Sequence, residues 1–221
     1  MTGPSLERRD TVYVLNLGDT ENRFNFDSVA ALGALLDEID AAEHPKALVT
    51  VGTDKFWSNG LDLDWLTETE TPLVEIVRVV QELFARVIEL DYPTVAAIQG
   101  HCYAAGGMLA LSHDVRLMRE DRGFLCFPEV DIRMSFTAGM NALLVSKLPQ
   151  PTQHQAMVLG KRFTGPQAFA AGIVDGVAGE SDLLDQAVAT AAALVGKDPE
   201  AIRSIKRMLY ADTITALRTL D

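Results

Sequence analysis

Residues 94–108 read TVAAIQGHCYAAGGM, an apolar run that passes through a glycine- and alanine-rich turn. Thr94 to Ile98 is a short, unbroken apolar run. Alternation is lost when neither face of a strand meets water, so the run predicts a strand buried on both sides. From Gly100 the chain turns through small residues into a short helix over Ala105 to Leu111. A buried strand feeding a helix start is the βα unit of a mostly parallel sheet. Small residues at such a turn let another group approach the backbone closely. The N–H groups at a helix start carry partial positive charge and suit an anion or a developing oxyanion. Taken alone, the same turn serves plain packing equally well.

On both sides of this unit, strands alternate with helices. Val12 to Leu17, Ala47 to Val51, Asp114 to Met118, Phe124 to Cys126 and Ile173 to Val177 read as strands. Gly52 to Asp64 reads as a loop with a Ser-Asn-Gly turn. The first helix has Asp27 as a candidate cap, with Val29, Leu32, Leu35, Leu36 and Ile39 on one face. A second has Thr71 as N-cap, Pro72 at its first position, and Leu73, Ile76, Val77, Val80, Leu83, Phe84, Val87 and Ile88 on one stripe. Asp91-Tyr92-Pro93 stops it. The second half is mostly helical: 136–148, 152–159, a capping box at Thr164 to Gln167 ended by Gly172, then 183–195 and 200–209. The pattern predicts an α/β fold, divided into residues 1–165 as core with the ligand site and 166–221 as a mainly helical region.

Composition sets limits on function. The 221 residues, 48% of them hydrophobic, suffice for a buried core, and the net charge of −12 argues against nucleic-acid binding. Cys102 and Cys126 form no CxxC pair, the four histidines lack metal-ligand spacing, and the polar Met1 to Asp10 is no signal peptide. No apolar stretch matches a membrane span. These features point to a cytoplasmic protein with no membrane partner.

Four ordered motifs resemble the crotonase (enoyl-CoA hydratase/isomerase) superfamily. They are Trp57-Ser58-Asn59-Gly60-Leu61-Asp62-Leu63; Ala97 to Gly100 with Ala105-Gly106-Gly107 and Ser112-His113-Asp114; Phe127-Pro128-Glu129-Val130; and Phe163 to Ala168 with Ala171 to Asp175. The resemblance implies a crotonase-like spiral of ββα units with a C-terminal helical trimerisation region, and a homotrimer or dimer of trimers. It implies acyl-CoA thioester as ligand, no cofactor beyond the coenzyme A of the substrate, and an oxyanion hole from the backbone N–H groups of Leu61 and Ala105. Family members often carry glycine at the position of Ala105.

The resemblance also divides the catalytic acids. Hydratases of the family use two glutamates, and the matching positions here are Met108 and Glu129. Hydration must orient and deprotonate water while protonating carbon, which two carboxylates do naturally. Moving a double bond from C3–C4 to C2–C3 needs only a proton taken from C2 and returned at C4, which one carboxylate can do. This chain resembles the single-glutamate 3-enoyl-CoA isomerases of the family, and Glu129-Val130-Asp131-Ile132 and Glu21-Asn22-Arg23-Phe24 after the first strand look most like their peroxisomal plant-type branch. The expectation is an isomerase of fatty-acid metabolism with Glu129 as proton shuttle. The alternatives are a hydratase with a substitute carboxylate (Asp62, Asp64 or Glu68), another crotonase-type reaction, or a silent acyl-CoA binder. Arg23, Phe24, Trp57, Ser58, Asn59, Gly60, Asp62, Gly106 and Met108 are expected around the substrate. Arg23, Lys55, Arg203, Lys206 and Arg207 are candidates for the CoA phosphates. Trp57 and Trp65 fit packing as well as a pocket, Asp62 suits a turn-stabilising role, and Glu129 alone would read as a solvated carboxylate.

Overall fold

The structure, a computed structural model, describes residues 3–219, so Met1 and Thr2 of the polar N-terminus lie outside the described residues. The elements run β1 (Ser5–Arg9), β2 (Val12–Asn16), α1 (Phe26–Ala41), β3 (Ala47–Val51), β4 (Phe56–Ser58), α2 (Leu63–Thr69), α3 (Leu73–Glu89), β5 (Thr94–Ile98), β6 (His101–Tyr103) and α4 (Ala105–Ser112). They continue with β7 (Val115–Arg119), β8 (Leu125–Cys126), α5 (Ala138–Lys147), α6 (Gln150–Gln153) running into a π turn at His154–Val158, α7 (Gly165–Ala170), β9 (Gly176–Ala178), α8 (Leu183–Leu194), α9 (Pro199–Leu209) and α10 (Ala211–Arg218).

A six-stranded sheet has the order β1-β2-β3-β5-β7-β9, and a three-stranded sheet the order β4-β6-β8. Every pairing is parallel except β1 with β2. The chain lays one strand in the large sheet, the next in the small one, then a helix, and repeats: β3-β4-α3, β5-β6-α4, β7-β8-α5. This is the expected ββα spiral. β3 and β5 are buried along their whole length, because both faces of the large sheet are covered. One face packs Val12, Val14, Val49, Val95 and Ala97 against Leu183, Ala187 and Ala191 of α8. The other packs Leu15, Leu48, Ala96 and Ile98 into the main core with α1, α3 and α4. Alternate residues thus serve two apolar layers.

The C-terminal segment is woven into this body. β9 supplies the sixth strand by pairing with β7, α8 covers the sheet, and α10 packs on α3 and α5.

Several local expectations shift. The first helix is capped by Asn25, not Asp27. Asn25 Oδ1 accepts from Ser28 N and Ser28 Oγ from Asn25 N, each at 2.9 Å. That reciprocal box fits N-cap and N3, whereas Asp27 lies inside the first turn. Pro72, not Thr71, is the N-cap of α3, one residue later than the Pro-at-N1 rule predicts. The loop 52–64 holds β4, and the turn after Gly100 holds β6; both are three residues long. The strand expected at 173–177 forms at Gly176–Ala178.

Candidate active site

β4 and β6 lie side by side and parallel, so the loops leaving their C-terminal ends meet. Glycine is required at that meeting. Gly60 has φ +82°, and a Cβ there would stand 3.0 Å from Ala104 Cβ and 3.3 Å from Ala105 N. A Cβ on Gly106 would stand 2.7 Å from Ser58 O, so Gly106 is the residue that lets α4 seat against β4.

The main-chain pairing sets the direction of one amide. Phe24 N donates to Gly60 O at 2.8 Å, and Asp62 N donates to Phe24 O at 3.0 Å. This parallel bridge uses the groups flanking Leu61, so the N–H of Leu61 itself points to the opposite side. Ala105 is the first residue of α4, and by position its N–H has no acceptor within the helix. Both residues line one cavity of about 230 Å³. The left-handed conformation falls on Ala104 (φ 49°, ψ −123°), not on Ala105. An alanine held there costs about 1–3 kcal/mol. Ala104→Gly is therefore expected to raise stability by about 1 kcal/mol after the entropy of a more flexible unfolded chain is deducted. A melting temperature at or below that of the parent would contradict this reading.

Glu129 lines the same cavity. It follows the buried Phe127 in a tight turn, where Asp131 N and Ile132 N donate to Pro128 O and Met134 N donates to Glu129 O at 2.9 Å. The turn aims the carboxyl inward, and the residue is only 6% exposed. Its Oε2 is buried and has no hydrogen-bond partner among the described residues. An ionised oxygen without water or donor is costly, so burial pushes the Glu129 carboxyl up to about 7. The other walls are apolar: Leu61, Leu63, Leu73, Val77, Pro128, Ile132, Met134 and Met140, with Asn59, Tyr103, Ser135 and Thr137 as polar members. Glu129 is the one carboxylate among the described lining residues.

The predicted site residues divide between this cavity and its surroundings. Asn59, Leu61, Ala105 and Glu129 line it. Arg23, Phe24 and Asp62 instead line a neighbouring groove of about 580 Å³ together with Thr20, Asn22 and Asn25. Trp57, Ser58 and Met108 are fully buried and lie outside the lining. The Trp57 indole donates to Thr50 O at 3.3 Å, and Ser58 Oγ to Asn22 O at 2.8 Å, so both are satisfied inside the core. Met108 points its thioether into the main core, which corrects its expected place in the pocket wall. Asp62 caps α2 by accepting from Trp65 N at 3.2 Å. Asp64 is bound to Arg23 at 2.5 Å, and neither aspartate nor Glu68 lines the cavity.

The candidate phosphate ligands also separate. Arg23 already meets Glu21, Asp62 and Asp64 at 2.6, 3.6 and 2.5 Å. Lys206 is buried on Asp114 at 2.8 Å and on the carbonyl of Leu90, and Arg203 and Arg207 pair with Asp91 and Glu89. Lys55 lies over the Phe56 ring and forms no ion pair among the described residues. His113 is buried between Thr50 Oγ1 and Leu109 O, each at 2.8 Å, and burial lowers it to about 4. It is a packed, neutral histidine. Burial likewise raises the Cys102 thiol, which fits its reading as a small apolar residue.

Sequence reasoning did not name Leu63, Leu73, Val77, Tyr103, Met134, Ser135, Thr137 or Met140 as site residues. Leu73 and Val77 stood on the predicted stripe of α3, but an apolar residue facing a cavity reads like one facing the core. Leu73 begins the stripe at the helix start and is 42% exposed in the structure, a difference from its stripe neighbours that the sequence does not carry.

Residues 7–220 match the family Enoyl-CoA hydratase/isomerase. The chain belongs to that family. It is similar to enoyl-CoA delta isomerase 3 of Arabidopsis thaliana, 34% identical with 94% of this chain and 92% of that protein covered. It is equally similar to the peroxisomal enoyl-CoA delta isomerase 2 of the same plant, at 34% with the same coverage. Among solved structures, a probable enoyl-CoA hydratase of Mycobacterium tuberculosis superposes with TM-score 0.92 at 29% identity, covering 98% of this chain and 92% of that one.

Proposed function

We propose that this protein is an enoyl-CoA isomerase of fatty-acid metabolism that converts 3-enoyl-CoA to 2-enoyl-CoA with Glu129 as the only proton carrier. One observation carries the reading: a single carboxylate, raised toward neutrality by burial, stands in an apolar cavity beside two backbone amides at the meeting of two loops. The isomerase relatives support it. Glu129 takes a proton from C2. The thioester oxygen gains charge and accepts from Leu61 N–H and Ala105 N–H, donors that need no reorganisation because the fold holds them. Glu129 then returns the proton at C4. The coenzyme A belongs to the substrate, and the reaction asks for no separate cofactor. Hydration would need a second group to deprotonate water, and Met108 in the core supplies none.

The test is direct. Given 3-enoyl-CoA, the purified protein is expected to yield 2-enoyl-CoA with little 3-hydroxyacyl-CoA, identified by mass and retention time. Hydration as fast as isomerisation would overturn the assignment.

We further propose a homotrimer or dimer of trimers. Ile205, Met208 and Leu209 on α9 are 64, 80 and 68% exposed, and a partner subunit covering them would remove that apolar surface from water. Light scattering is expected to give three or six chain masses; a monomer at all concentrations would refute the assembly.

A further inference from the structure

The wall that α3 gives to the cavity has a definite end. Leu73 and Val77 are one turn apart and both line it. The next residue on that line, one turn on, is Gln81. It is fully buried, which is unusual for an amide on an otherwise apolar stripe. Its Oε1 accepts from Thr137 Oγ1, and its Nε2 donates to Leu217 O of α10 at 3.0 Å. Thr137 lines the cavity and caps α5 by accepting from Met140 N at 3.1 Å. Behind the amide the molecule is full: a Cβ on Gly139 would come within 2.8 Å of Gln81 Oε1, Ala216 O and Leu217 Cα.

Resting on the isomerase reading above, we propose that Gln81, clamped by Thr137 and the Leu217 carbonyl, closes the far end of the acyl cavity and so sets the longest acyl chain the enzyme takes. The cavity, about 230 Å³, is lined on this side by Leu73, Val77 and Thr137, and Gln81 stands behind them rather than in the lining. An acyl chain up to a limiting length fits in front of it. A longer one must displace Gln81, and that leaves Thr137 and Leu217 O without partners in a dry place.

The experiment measures kcat/KM over 3-enoyl-CoAs of six to fourteen carbons and, in parallel, calorimetric affinity for the saturated acyl-CoAs of the same lengths. In the parent both are expected to fall beyond one limiting length within that series, by about tenfold or more for each added pair. Gln81→Ala is expected to move that break outward by about three carbons, the room its side chain vacates. Gln81→Asn, which retains an amide and withdraws it by one methylene, carries the test if the alanine variant does not fold, and is expected to move the break by one to two carbons. A purely structural role predicts the same fractional loss at every length. A break unchanged in both Gln81→Ala and Gln81→Asn overturns the proposal while leaving the isomerase reading intact. A shifted break in affinity without any isomerisation upholds the closure and sinks the isomerase reading.

Discussion

Glu129→Gln keeps acyl-CoA affinity and loses turnover by at least about 10²–10⁴-fold, the usual worth of a positioned acid–base group. The substitution preserves shape and removes the base. No other carboxylate lines the cavity among the described residues: Asp62 is committed to capping α2 and Asp64 to Arg23. The loss should therefore fall on kcat, because proton transfer is a transition-state event, while the apolar walls and the two amides still bind the thioester. Measuring kcat for isomerisation with acyl-CoA affinity in parallel decides it. Activity within a few-fold of the parent would remove Glu129 as the base, and most of the mechanism with it.

The second large effect is a pH dependence of opposite sign in activity and stability. The base must be ionised, so kcat/KM should rise with pH through about 7, following one proton. Stability runs the other way. Below the ordinary value of 4.5 the carboxyl is protonated folded or unfolded, and nothing is lost. Between 4.5 and about 7 the unfolded chain releases its proton while the folded one holds it, so unfolding gains. Above 7 the folded protein carries an unpaired buried charge at a cost of roughly 3 kcal/mol. Glu129→Gln has no such cost. It should melt about 6–12 °C above the parent at pH 8, with the gap closing toward pH 4.5. Melting curves that track each other across that range would show that Glu129 is not held in its protonated form by the fold.

The parts of the fold that were legible in the sequence are those whose burial is uniform. The runs at 47–51 and 94–98 are apolar throughout because they lie between two layers, and the α3 stripe repeats over four turns. β4 and β6 were not legible. Three residues are too few to set a period, and His101 and Ser58 are polar. β1, with Arg8, Arg9 and Glu7 outward at an edge, reads as a charged tail. Of the site, the loop motifs and Glu129 were legible only through the family resemblance, since a single carboxylate after a proline otherwise reads as solvated. Trp57 fitted packing and a pocket equally, because an indole beside a motif looks the same in both until its N–H is seen bound to Thr50. Gln81 gave no warning, since a lone amide in an apolar stripe has no pattern to break but its own.

Ala104 and Ala105 carry a last consequence. The donors assigned to the thioester oxygen belong to the main chain, and among encoded residues only proline lacks the hydrogen. An alanine scan would pass over Ala104 and Ala105 in silence, and proline at Ala105 would remove the donor while also constraining the bend at Ala104. Deleting that donor alone takes a change of linkage, with a hydroxy acid placing an ester oxygen where the Ala105 nitrogen stands. Such a chain would fill the same space, turn at the same angle and lack a single hydrogen.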